Sequence, residues 1–139
     1  MSAENNINNH YNEALSIWEK LSDKEKFWVT PHGCFINSPR LICRLIKYVN
    51  NKPVGFVDAY KRKKSRTAFI VIVILKEYRN QGIAHELIEQ IENELQDKGY
   101  KYVEYIVFKE NTKSISFAIS CDFKFMTENH EKVFFKKII

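Results

Sequence analysis

The stretch TAFIVIVILKEYRNQGIAHELIEQIENELQDKG, residues 67–99, changes its periodicity halfway along. From Ala68 to Leu75 every residue is apolar, whichever face alternate positions take, and this predicts a strand buried on both sides and central in its sheet. From Gly82 to Lys98 the residues Ile83, Leu87, Ile88, Ile91 and Leu95 make one apolar stripe. Glu86, Glu89, Glu92 and Glu94 lie off it, so the spacing predicts an amphipathic helix, stopped by Gly99. Between the two lies a strand-to-helix junction. A helix start presents unpaired backbone N–H groups and a partial positive charge, which suits a phosphate or pyrophosphate. Gly82 lets a ligand come close to the backbone, Ala84 is small enough to keep it there, and Arg79 adds a full positive charge. The spacing fits neither GxGxxG nor GxxxxGK[ST], and an ordinary tight turn is the plain alternative.

Working outward, YKYVEYIVF (100–108) reads as a second strand, so that strand, helix and strand from Thr67 to Phe108 are expected as parallel neighbours with a right-handed crossover. NTKSISFAIS (111–120) reads as a short helix opening with Asn111. FKFMTEN and KVFFKKII read as a last hairpin turning at His130 and Glu131. Upstream, RLICRLIKYV (40–49) alternates Leu41, Cys43, Leu45 and Lys47 against Ile42, Arg44, Ile46 and Tyr48, the period of a strand with one wetter face. It turns through Asn50 to Pro53 into VGFVDAY (54–60), a hairpin. Leu15, Trp18 and Leu21 recur at helical spacing from Tyr11, and a second short helix follows, capped by Ser22 or Asp23 and ended by Pro31 and Gly33. The expected fold class is α/β with a mixed sheet, antiparallel at its ends, one central parallel βαβ unit and flanking helices. Residues 1–10 read as a flexible lead and 11–139 as a single domain.

Composition agrees with one globular domain: 139 residues, 45% hydrophobic, 14% aromatic and 28% charged. No run of about 18 apolar residues and no secretory signal is visible, which argues against a membrane partner and predicts a cytoplasmic protein. Cys34, Cys43 and Cys121 have no metal-ligand spacing, so no metal is expected. His32 and Cys34 form a nucleophile-and-base pair only on paper, and buried thiols are the preferred reading. The net charge of +5 is concentrated between Arg40 and Arg66, with nine basic residues against Asp58. Such polarity suits a phosphorylated cofactor, an acidic substrate or nucleic acid. The run KRKKSR (61–66) is read first as a solvated turn. It has no interleaved aromatics, which disfavours nucleic acid.

EYRNQGIA (77–84), followed by its long helix, resembles the R/Q-x-x-G-x-G/A acyl-CoA signature of the GCN5-related N-acetyltransferase (GNAT) family. YIVFKENTKSISFAISCDFKFM (105–126) is similar to the family's second conserved segment, and PVGFVDAY (53–60) to its third strand. The resemblance implies transfer of an acetyl group from acetyl-CoA to an amine, by direct attack in a ternary complex. It implies that the backbone of Ile74 and Leu75 pairs with the pantetheine arm, and that N–H groups of Arg79, Asn80, Gln81, Gly82, Ile83 and Ala84 hold the pyrophosphate. Asn111 would bond the cofactor while capping its helix. Where the family's short helix carries a tyrosine acid, this chain has Ala118. Ser114 or Cys121 is therefore the candidate beside the sulfur, and catalysis is expected not to rest on a tyrosine acid. Asp122 replaces a glycine before Phe123, a substitution that aspartate's tolerance of left-handed backbone allows. The central strand has no acid, leaving Asp58 or Glu104 on neighbouring strands as candidate bases. The family's strand before the first helix is not evident in MSAENNINNH. The implied acceptor is a small-molecule or peptide amine, acidic or phosphorylated if KRKKSR faces it, and a homodimer is the candidate assembly. The alternative reading is a non-catalytic acyl-CoA-binding module.

Overall fold

The computed structural model describes residues 3–29 and 38–139, with side chains from His10 onward. The His32 and Cys34 pair and the Pro31 and Gly33 stop lie outside the described residues. Two helices come first, α1 (Ala3–Glu19) and α2 (Asp23–Val29), then a hairpin of β1 (Leu41–Val49) and β2 (Lys52–Lys61). Next come β3 (Thr67–Ile74), a 3-10 turn at Lys76–Tyr78, α3 (Ile83–Asp97) and β4 (Tyr102–Phe108). The chain closes with α4 (Thr112–Ser120) and a hairpin of β5 (Lys124–Glu128) and β6 (Lys132–Ile138). One six-stranded sheet results, ordered β1-β2-β3-β4-β6-β5, with β3 and β4 as its parallel pair and antiparallel pairing elsewhere. This is the mixed sheet with one βαβ unit that the periodicities predict.

The period-two pattern of the central strands sends alternate residues to two different helix layers. Val57, Ala59, Ala68 and Ile70 pack against α3, whose Ile83, Leu87, Ile88, Ile91 and Leu95 are its buried residues. Phe56, Tyr60, Phe69 and Val71 face Ala14, Ile17 and Leu21 in the α1 layer. The stripe on α1 is therefore centred on Ala14 and Ile17, with Leu15 and Trp18 at its margins. That helix begins at Ala3, inside the segment read as a flexible lead. The apolar spacing from Tyr11 therefore does not mark where the helix starts to wind.

β1 departs from simple alternation. Its register with β2 shifts between Leu41 and Cys43, so Leu41 joins Ile46 on the α1 side. Arg44, a charged residue in this strand, is only 4% exposed. Asp122 adopts φ 67°, the left-handed conformation expected of it where α4 passes into β5.

The parallel pairing of β3 and β4 is short. It covers Thr67 with Tyr102, Ala68 with Val103 and Phe69 with Glu104, and then the strands part. Everything functional that follows is arranged around that gap.

Candidate active site

Beyond Phe69 and Glu104 the two strands enclose a cavity of about 1030 Å³, at the upper end of the range for small-molecule sites. Its walls are 70–74 of β3 and 105–108 of β4. The turn into α3 and the first turns of α4 close one side, and Lys24, Glu25 and Trp28 of α2 the other.

The β3 wall offers an unpaired strand edge. Leu75 N–H donates to the Val54 carbonyl at 2.9 Å, and Arg62 N–H donates to the Thr67 carbonyl at 3.2 Å. The odd-numbered residues of β3 thus bond toward β2, and alternation turns Ile70, Ile72 and Ile74 toward β4. Of the two residues singled out from the resemblance, Ile74 is on the edge turned away from β2, with its carbonyl taken by Arg79 Nε, and Leu75 is engaged with β2 and lies outside the cavity lining.

At the junction Gly82 sits at φ 83°, and a Cβ built there would meet nothing within 4 Å. The first backbone bond of α3 runs from Glu86 N–H to the Gly82 carbonyl at 3.1 Å. The N–H groups of Ile83, Ala84 and His85 are therefore without helical acceptors and open onto the cavity mouth. Asn80 lines the cavity with a left-handed φ of 62°, while Gln81 turns its amide to the Glu77 carbonyl at 3.3 Å. Arg79 is committed locally: its Nε donates to the Ile74 carbonyl at 2.8 Å and its Nη2 to Glu25 at 2.6 Å. It shapes the turn and ties α2 to it.

On the opposite wall Asn111 caps α4, its Oδ1 accepting from Ser114 N–H at 3.4 Å, and both residues line the cavity. His85 reaches from α3 to Ser120 of α4 at 2.9 Å and meets the Phe117 ring edge-on at 5.0 Å. On the α2 side, Trp28 Nε1 donates to Glu110 at 2.8 Å, and Phe27 packs on Phe108 with centroids 5.1 Å apart. These contacts carry α2 across from the β3 side to the end of β4.

The remaining sequence candidates are elsewhere. Asp58 is fully buried in the α1 layer, taking both Arg44 nitrogens at 2.6 and 2.9 Å and the Tyr60 hydroxyl at 2.6 Å. Glu104, 5% exposed, accepts from Arg62 at 2.9 Å and Lys64 at 3.0 Å at the closed end of the gap. Neither lines the cavity. Cys121 caps the far end of α4 within the core, and burial pushes its thiol up. Ala118 is fully buried in the same cluster. The KRKKSR turn enters β3 at its paired end and contributes nothing to the lining. Among the described residues no cluster of potential ligands could hold a metal ion, and no helix is long and apolar enough to cross a membrane.

Residues that the sequence did not single out complete the cavity: Trp28, Glu110, His85 and Tyr105. Tyr105 hides in an ordinary alternation with Val103 and Val107, and only the point where β3 leaves β4 marks it out.

Comparison with known proteins agrees with this geometry. No curated protein matches the sequence. Among solved structures, the GNAT domain of S. lividans PAT is similar at 13% identity with a TM-score of 0.78, covering 94% of this chain and 86% of that one. The ribosomal-protein-S18-alanine N-acetyltransferase of Escherichia coli is similar at 18% identity with a TM-score of 0.71, covering 94% and 88%. An acetyltransferase of Bacillus anthracis in complex with acetyl coenzyme A is similar at 20% identity with a TM-score of 0.66, covering 76% and 66%. The profile of the acetyltransferase (GNAT) family matches residues 6–123. With that span matched and the split sheet in place, the chain belongs to the GNAT family of acetyltransferases.

Proposed function

We propose that this chain is an N-acetyltransferase that passes the acetyl group of acetyl-CoA to an amine by direct attack in a ternary complex. The observation that carries the reading is the parting of β3 and β4 after three pairs, which leaves the edge of Ile72 and Ile74 facing a cavity. A pantetheine arm, with two amides along an extended chain, pairs with such an edge as a strand would. The open backbone at Gly82 and the free N–H groups of Ile83 and Ala84 suit a pyrophosphate, and Asn111 stands across the gap. The thioester then reaches toward the apex of the gap and the amine enters past α2. Of the cavity carboxylates, Glu25 is occupied by Arg79, so Glu110 is the better placed to take a proton from an incoming ammonium group. A protein using acetyl-CoA in this way belongs in the cytoplasm.

Two observations keep the non-catalytic acyl-CoA-binding module as a second reading: α4 carries Ala118 where an acid would help, and Asp58 and Glu104 are paired away from the cavity. Thiol release from acetyl-CoA over a panel of amines separates the two. The panel should include a polyamine, an aminated antibiotic and the α-amine of an alanine-first peptide. Gly82→Asp tests the site itself, because it adds a side chain and a negative charge where the pyrophosphate meets the backbone. Calorimetry should show acetyl-CoA affinity falling at least about tenfold, more than 1.4 kcal/mol. Unchanged affinity in a folded variant would remove the junction from the cofactor site.

A further inference from the structure

Aminolysis of a thioester makes a demand that the residues placed so far do not meet. As the amine nitrogen bonds to the carbonyl carbon and the carbon–sulfur bond breaks, the bonding pair leaves on sulfur, which must gain a proton while nitrogen sheds one. Two phenols line the cavity among the described residues, Tyr78 and Tyr105. Tyr78 is on the turn before α3, at the cavity mouth. Tyr105 is the first residue of β4 beyond its last pair with β3, so it stands at the apex of the gap. Its ring is held by Phe117 edge-on at 6.4 Å and by Phe123 at 5.7 Å. Ser114, which also lines the cavity and lies one turn before Ala118 on α4, is the group that pulls the Tyr105 hydroxyl toward the ionised form. Ala118 packs in the same buried cluster as the Tyr105 ring.

We infer that Tyr105, its ring held by Phe117 and Phe123, is the hydrogen-bond donor to the departing coenzyme A sulfur, supplied from the strand where the helix offers only Ala118. The inference rests on the acetyl-transfer reading of the cavity. In the balanced step the carbon–nitrogen bond forms, the carbon–sulfur bond breaks with its pair on sulfur, and the Tyr105 hydroxyl proton passes to sulfur. The phenol is restored by the proton that nitrogen sheds, carried through solvent in the cavity. Burial pushes the Tyr105 phenol up to about 12, against a smaller downward pull from Ser114, so it keeps its proton across the neutral range. Cys121 on α4 is the titratable group that acts on it. His85 of α3 lies behind Phe117, and Lys137 of β6 behind Phe123.

The test needs no acceptor. Coenzyme A labelled with carbon-13 at the carbon bonded to sulfur is bound to the wild-type chain and to Tyr105→Phe, which keeps the ring, and the thiol is titrated by its chemical shift. A phenol donating to the thiolate favours the charged form, so the bound thiol should ionise about one pH unit or more lower in the wild type than in the variant. Ser114→Ala should give a smaller change in the same direction. With any amine of the panel that is turned over, Tyr105→Phe should lower kcat by about 10²-fold or more while the acetyl-CoA KM moves little. Equal thiol titrations in the two proteins, both binding coenzyme A, would overturn the role of Tyr105 and leave the cavity reading standing. Failure of the wild type to bind coenzyme A would overturn both.

Discussion

Asp58 accepts from Arg44 and from Tyr60 in a place with no solvent exposure, and this defines what it can do. A carboxylate whose oxygens are taken by a guanidinium fork and a phenol is held as half of an ion pair, and it is poorly suited to collect protons from a substrate. Removing one partner of a buried pair leaves the other charge without its counterpart. Asp58→Ala should therefore cost about 3–5 kcal/mol in urea unfolding. At temperatures where that variant remains folded, its pH–rate profile should match the wild type, whereas loss of a base would remove the acidic limb. Residue by residue, the sequence showed which groups carry chemistry but not which of them are already engaged. Asp58 and Glu104 look like free acids in a strand, and their cations arrive from β1 and from the KRKKSR turn. Ala118 shows the same limit from the other side, since its missing hydroxyl can be read at once and a replacement from another element cannot.

Helix α2 has seven residues, too few to persist alone, and its bonds to the rest of the chain decide whether it stays in place. Ser22 and Glu25 form a capping box, with Glu25 N–H to Ser22 Oγ and Ser22 N–H to Glu25 Oε1 both at 3.2 Å. The other oxygen of Glu25 takes Arg79 at 2.6 Å. Burial alone would raise the Glu25 carboxyl, and the bonds from Arg79 and Ser22 more than offset it, so it is held below its ordinary 4.5. Folded α2 thus favours the ionised form. This contribution to its docking is fully present above about pH 4.5 and is lost as pH falls through the lowered value. Amide protection across 23–29, taken relative to the intrinsic exchange rate at each pH, should fall below that point in the wild type, and in Glu25→Gln it should be low and nearly indifferent to pH. The element order was legible because periods of two and 3.6 survive burial, and the strand-to-helix junction because a glycine with left-handed backbone leaves a mark in the sequence. The bulge in β1 was not legible, because tertiary contacts set it, and the start of α1 at Ala3 was not, because the segment ahead of Tyr11 carries no apolar periodicity. The short pairing of β3 with β4 was equally hidden, although both strands were expected as neighbours.

At the scale of the whole molecule, charge and cavity are at opposite ends. The basic turn precedes Thr67 and the cavity begins at Ile70, three strand residues or about 10 Å further on, which is about one Debye length at physiological salt. Arg62 and Lys64 are further occupied by Glu104. Replacing Lys61 and Lys63 with Gln should therefore leave the acceptor KM and its ionic-strength dependence unchanged within about twofold. A clear rise in KM would restore the idea that this turn selects an acidic amine. The three pairs between β3 and β4 have a wider meaning. They divide the sheet into two half-sheets, β1-β2-β3 and β4-β6-β5, sharing a seam that is only partly closed. A ligand that supplies the missing rungs is mortar as much as substrate, and occupancy at a hundred times its dissociation constant adds about 2.7 kcal/mol to stability. Scarcity of its ligand would shorten the protein's lifetime through unfolding and proteolysis, apart from any slowing of its chemistry.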